Sequence, residues 1–387
     1  METELPKMGK PLTKRGKRGN KHPPELEVYF YNPDRWKSIS IDQSTIGPMG
    51  ILGMSAKDAD DPRIAPFLRR GQLQRLSSPE RPLPYGAILL RQFDLSGKRG
   101  SIVVSRTYAY GDIFLAATVL SALTSKYSNP IIFHTKSITE PLVRHHPGVE
   151  VITGNEALQK VLRSAGVYLD LDDIAERHEE FRDQTQNRIE IFHYYLGLEP
   201  VSLCPSYFIT SEEIAAGEHF LKQYPRPFIA ISPTTMRKEK SWRHEKWKEL
   251  AIKTASELGG TIFMFDSADR LNIQEQEIIP IIAKPLRTAG ALAYHMDLFV
   301  THDSLWSHFA AALGVEQILL CSCTDGALLS KGYSNVTVIQ RGWECSPCWY
   351  RFDSGKCVYG NYPACLDDVS VDEVFDAVKE KINENAW

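Results

Sequence analysis

From residue 101 onward the chain alternates short apolar strands with amphipathic helices, and it does so in two successive series. In the first, SIVVS (101–105) reads as a buried strand, and Ile113, Ala117, Leu120, Thr124 and Tyr127 mark one face of the helix that follows at the 3.6-residue period. PIIFHT, VEVIT and VYLDLD supply further strands. The second series opens near residue 227 with PFIAISP, followed by a helix over HEKWKELAIKTASELGG, then TIFMFDS, DLFVTHDS, the helix LWSHFAAALG, and the strands QILLCSC and VTVIQRG. SVDEVFDAVKEKI closes it, with Ser370 and Glu373 placed as a capping box. Repeated βα units of this length demand a parallel sheet covered by helices on both faces. Two such series in tandem predict an α/β chain of two Rossmann-like domains facing across a cleft, at 101–210 and 211–387.

A length of 387 residues accommodates two such cores and an appendage, since single cores stop growing at about 250–300 residues. Residues 1–25 carry seven Lys and Arg among prolines and glycines without apolar periodicity, the composition of a disordered basic tail. Residues 26–100 hold a strand candidate, LEVYFY, many turn formers and a second apolar run, YGAILLRQF, which predict a small β-rich appendage. A net charge of −3 provides no field favouring nucleic acid. Neither a signal-peptide core nor an apolar run of bilayer length is visible, so a cytoplasmic location is expected.

Four places carry chemistry. Gly111 and Asp112 fall where the first strand passes into its helix, and ligands of open α/β sheets bind at the carboxyl ends of strands. A carboxylate there also complements the helix dipole. Thr234, Thr235, Arg237 and Lys240 occupy a strand-to-helix loop, ISPTTMRKEKSW, whose hydroxyls and ammonium suit a phosphate. Asp303 ends another strand, Ser304 can cap the next helix, and His308 lies one turn further on the same face. Finally Cys345, Cys348, Cys357 and Cys365 follow a CxxC, eight-residue, seven-residue spacing, enough thiolates for one tetrahedral zinc or iron. Cys321 and Cys323 read as core residues of an apolar strand.

In order and spacing these motifs resemble glycosyltransferase family 9, the heptosyltransferases, over roughly residues 101–380. The resemblance implies the GT-B fold, with Asp112 as the general base that deprotonates an acceptor hydroxyl. Thr234, Thr235 and Lys240 would grip the diphosphate of an ADP-sugar donor, with Gly111, Asp303, Ser304, Leu305 and His308 completing the donor site. Lys240 would also stabilise the departing diphosphate. The family has glycine after Asp-Ser where this chain has Leu305. Many members of that family carry a similar cysteine segment, and its autotransporter branch binds iron there as a structural finger. One iron or zinc per chain, at a C-terminal cysteine finger, is therefore implied, with no catalytic divalent metal.

Asp170, Asp172 and Asp173 mimic a DxD metal motif but fall at a strand end, and are read as strand-end and helix-start residues. The acceptor, a glycan or a protein hydroxyl, is left open, as is assembly into a homo-oligomer through the appendage or the cysteine segment. Two alternatives stand beside inverting glycosyl transfer: a nucleotide-sugar epimerase of the same fold, and a catalytically silent scaffold, which Leu305 in place of glycine favours.

Overall fold

The computed structural model describes short strands between residues 27 and 76, then residues 85–97, 100–172, 185–233, 235–349, 357, 359–360 and 362–384. The expected basic tail lies outside the described residues. The chain divides into two compact units, Met1–Pro82 and Leu83–Trp387.

The first unit contains β1 (Glu27–Tyr31), β2 (Ile39–Ile41), β3 (Ser44–Ile46), β4 (Ile51–Ser55) and β5 (Gln74–Leu76). β1 lies between β4 and β5, antiparallel to both, and β2 pairs with β3 as a small antiparallel ladder.

The second unit begins with α1 (Tyr85–Ser96), and here the expectation changes. YGAILLRQF forms a helix, not part of a β-rich appendage, and the boundary between units falls at residues 82/83 instead of 100. The reason is packing. Leu90 and Phe93 join the core of the following sheet, and Phe93 lies so close over Gly166 that a Cβ there would sit 2.3 Å from the Phe93 ring.

β6 (Ser101–Ser105), β7 (Ile131–Thr135), β8 (Val149–Thr153) and β9 (Ala165–Asp170) form a parallel sheet in the order β8-β7-β6-β9. α2 (Tyr110–Ala116) and α3 (Thr118–Lys126) share the amphipathic stretch expected to form one helix, and they meet at Ala117. α4 (Asn155–Leu162) and α5 (Arg188–Leu196) follow, the latter fixed at its start by a complete Asn187–Glu190 capping box.

After α6 (Ser211–Leu221), the second sheet comprises β10 (Phe228–Ser232), β11 (Thr261–Asp266), β12 (Ile278–Ile282), β13 (Leu298–His302), β14 (Glu316–Cys321) and β15 (Val336–Gln340). All pair in parallel, in the order β12-β11-β10-β13-β14-β15. Its helices are α7 (His244–Leu258), α8 (Leu286–Ala293), α9 (Leu305–Leu313), α10 (Gly326–Leu329), α11 (Ala364–Asp367) and α12 (Val371–Glu384). At the start of α12 the Ser370 hydroxyl accepts from Glu373 N–H, but the Glu373 carboxylate turns to Arg341 instead of closing the capping box.

The two lobes share a seam. Phe309, on α9 of the second lobe, is fully buried within the core of the first, stacked on Phe114 at a centroid distance of 5.1 Å and against Tyr207 at 4.6 Å. This contact sets α9 against the strand-to-helix turn that carries Asp112. Among the described residues, no helix is long and apolar enough to cross a membrane.

Candidate active site

Asp112 sits in the first turn of α2, buried at 5% exposure, and is gripped by two guanidinium groups. Arg106, just beyond β6, reaches Oδ2 at 3.1 Å, and Arg188, the first residue of α5, pairs with Oδ1. Arg106 is itself fixed: it donates to the Leu171 carbonyl at 2.8 Å and stacks over Phe192. Asp172 clamps the turn between β6 and α2, accepting from both N–H and hydroxyl of Thr107 at 2.8 Å. Asp170 accepts from the Asp172 N–H, which places these carboxylates in the architecture of the turn; Asp173 lies outside the described residues. Ala109, immediately before α2, has a φ of 58°, a strained value for a residue with a Cβ at the point where the chain must turn the Asp112 carboxylate inward.

Gly111 explains itself by what it touches. A Cβ there would lie 3.2 Å from His308 Cδ2 and 3.4 Å from Nε2, so the glycine lets α2 approach α9 closely. His308 is 3% exposed and shares a 2.7 Å hydrogen bond between Nδ1 and the Tyr333 hydroxyl. Burial lowers its pKa to about 4, with Arg188 and Lys240 pushing the same way and Asp303 opposing, so the ring is neutral near pH 7.

A cavity of about 570 Å³ opens between the lobes. Leu115, Asn187, Arg188 and Ile189 line it from the first lobe, and Lys240, Asp303, His308, Thr324, Asp325 and Trp349 are among its walls on the second. Lys240 ends a short 3-10 turn and ion-pairs with Asp303, which also accepts from the Thr324 hydroxyl at 2.8 Å. Burial alone would raise the Asp303 pKa, but the charge and hydrogen bond of Lys240, helped by His308 and Arg188, hold it down at about 2. The lysine loop is anchored from below, where Trp242 N–H donates to His302 Nε2 at 2.9 Å.

The structure therefore gathers Lys240, Asp303 and His308 at one cavity, while Gly111 packs against His308 and Asp112 pairs with Arg188, two residues of its lining. Thr235 and Ser304 use their hydroxyls locally. The former accepts from Arg237 N–H and donates to the Arg237 carbonyl, while the latter caps α9 by accepting from Trp306 N–H. Leu305 is half-buried against the core of the first lobe beside Trp306, so the residue that stands in for glycine serves the seam between lobes. Thr234 lies outside the described residues. Sequence reasoning missed Arg106, Arg188, Thr324 and Trp349; the capping box before Arg188 was the available signal for the start of its helix.

Of the cysteines, Cys345, Cys348 and Cys357 are half-buried and Cys365 is buried. Cys365 is pushed up to about 11 by burial and by the charges of Cys345, Cys348 and Cys357, so each of these thiols lies within its electrostatic range. Among the described residues, however, no group of three or more His, Cys, Asp or Glu side chains is gathered as a metal site. As a donor set, four thiols fit zinc or iron, whose binding would deprotonate them. Cys321 and Cys323 are buried, and burial raises both thiols, Cys323 to about 12.

Three solved structures share the fold. ADP-heptose lipopolysaccharide heptosyltransferase II of E. coli is 17% identical, with a TM-score of 0.56 over 74% of this chain and 100% of that one. The iron-containing dodecameric glycosyltransferase TibC from enterotoxigenic E. coli H10407 is 12% identical, with a TM-score of 0.56 over 94% of this chain and 93% of its own. TibC in complex with ADP-D-β-D-heptose gives 13% and 0.55 over 93% and 92%. No curated protein matches. The model of glycosyltransferase family 9 (heptosyltransferase) matches residues 162–358, half of the chain, a span that holds every strand of the second sheet from β10 to β15. With its paired parallel sheets in the GT-B arrangement and that match, the chain belongs to glycosyltransferase family 9 and is a glycosyltransferase.

Proposed function

We propose that the chain transfers heptose from ADP-heptose to an acceptor hydroxyl with inversion at the anomeric carbon, and that Asp112 is the base. The observation that carries this reading is the juxtaposition of a buried carboxylate, oriented by Arg106 and Arg188, with a cavity holding Lys240, Asp303 and His308 across the seam. Transfer requires one group to take a proton from the acceptor and others to receive the charge that builds on the departing diphosphate. Asp112, oriented through both oxygens, is the carboxylate that would take that proton. Lys240 lines the cavity and keeps ammonium donors beyond the one given to Asp303, so its charge can serve the diphosphate. His308, neutral and fixed by Tyr333, can hydrogen-bond without adding charge.

The ADP-heptose complex of TibC and the heptosyltransferase neighbours support the choice of donor. Iron in TibC, its dodecameric state and the thiol chemistry of Cys345, Cys348, Cys357 and Cys365 support one structural iron or zinc per chain and a homo-oligomeric assembly. The metal would stiffen the segment that follows the second sheet, leaving proton transfer and diphosphate binding to the side chains above. The acceptor is a glycan or protein hydroxyl.

Asp112→Asn tests the reading. Acceptor-dependent release of ADP from ADP-heptose should fall about 10²–10⁴-fold, the usual contribution of a positioned base, while ADP affinity measured by calorimetry stays within a few-fold. Undiminished turnover would remove Asp112 from the base role.

A further inference from the structure

We infer that Trp349 is a positioning residue for the Lys240 ammonium, and that through it the cysteine-bearing segment sets how tightly the cavity holds a nucleoside diphosphate. The inference rests on the reading of Lys240 as the diphosphate partner. Lys240 Nζ lies 4.6 Å from the centroid of the Trp349 ring, and Arg237 from the same loop lies 5.2 Å from it. Lys240, Asp303 and Trp349 all line the cavity, so the ammonium that pairs with Asp303 also lies within cation–π range of the indole.

The contact is built, not incidental. The N–H groups of Cys348 and Trp349 both donate to the Cys323 carbonyl at 2.8 Å, which fixes the backbone just before the indole onto the end of β14. Ser346 Oγ donates to the Ser322 carbonyl at 2.6 Å, and Ser322 Oγ donates to the Glu239 carbonyl at 2.7 Å, one residue before the lysine. Gln340, from the end of β15, ties the Thr324 carbonyl to the same place at 2.7 Å. The lysine loop, the end of β14 and the segment bearing Cys345 and Cys348 are thus one hydrogen-bonded assembly, and Trp349 is its contact with the charged end of Lys240.

Physical chemistry says what this does. A lysine is a point charge on a flexible four-carbon stem, and holding it in one geometry costs rotamer freedom. Asp303 attracts the ammonium away from a ligand as readily as it orients it. A tryptophan ring within cation–π range gives the ammonium a second favourable partner besides Asp303, so less of its freedom is left to lose when a diphosphate arrives.

The experiment is a double-mutant cycle on ADP affinity, read by calorimetry with the full chain. Trp349→Ala should weaken ADP binding about ten-fold, the order expected for a partly desolvated cation–π contact, and Trp349→Phe should recover most of the loss. In a Lys240→Ala background the same Trp349→Ala change should alter affinity less than about two-fold, because the ring then has no ammonium to place. Equal losses in both backgrounds would show that the indole contributes independently of Lys240 and would overturn the inference while leaving the donor site standing. A wild-type chain that binds no ADP would sink the donor-site reading and this inference with it. Trp349→Phe, which keeps an aromatic ring in place, separates positioning from misfolding: an alanine-like loss in it would count against the cation–π contact.

Discussion

His302 offers the sharpest check on how the lysine loop is held. It ends β13, is wholly buried, accepts from Trp242 N–H through Nε2, and meets Trp247 edge to face at 4.8 Å. Nδ1 has no hydrogen-bond partner among the described residues. Burial lowers its pKa from 6.5 to about 3, against a weaker upward pull from Asp303. A histidine depressed in this way stabilises the fold fully above its unfolded pKa, and that contribution disappears as pH falls from 6.5 towards about 3, because the unfolded chain takes up a proton that the folded chain refuses. Between pH 7 and pH 5 the linkage amounts to about 2 kcal/mol from this residue. His308, lowered to about 4, acts in the same direction, as do the buried His134, His146 and His193. Comparison of variants therefore isolates the effect. His302→Gln keeps an acceptor for Trp242 N–H and removes the titration. Urea unfolding at pH 7 and pH 5 should show the variant less stable than wild type at pH 7, yet losing about 2 kcal/mol less on acidification. An identical loss in both proteins would refute the claim that His302 is held neutral by its site.

Other outcomes follow from the same geometry. Gly111→Ala places a methyl 3.2 Å from His308, so a stability cost of about 1–3 kcal/mol by calorimetry and reduced turnover are expected; an unchanged melting temperature would mean that the two helices yield freely. Phe93→Ala should cost about 3 kcal/mol in unfolding of Leu83–Trp387, and a negligible change would detach α1 from that unit. Metal analysis of protein purified without chelator should find about one iron or zinc per chain, and chelation should lower the melting temperature; metal-free protein of unaltered stability would exclude a structural metal at the cysteines.

Periodicity predicted most of the strands of both sheets and the helices over 244–258, 305–313 and 371–384, because buried parallel strands and amphipathic helices leave strong local patterns. YGAILLRQF misled because an apolar run of that length serves either as strand or as buried helix, and its partner Gly166 lies far along the chain. The gathering of Lys240, Asp303 and His308 was legible from the motifs, each carried at a strand end or the helix after it. Arg188 was not. Its ion pair with Asp112 spans 76 positions, and no local pattern announces which guanidinium a folded chain will bring to a carboxylate. The packing of Leu305 was not legible for a related reason, since its half-buried contact with the first lobe exists only once α9 crosses the seam.

Phe309 carries a consequence for how this enzyme could be divided or could move. Its ring belongs by sequence to the second lobe and by environment to the first, so neither lobe is a self-sufficient module. A fragment ending before residue 228 would keep Phe114 and Tyr207 around a vacated socket, and the complementary fragment would expose α9 to water. Swapping second lobes between relatives should therefore carry α9 and its socket together.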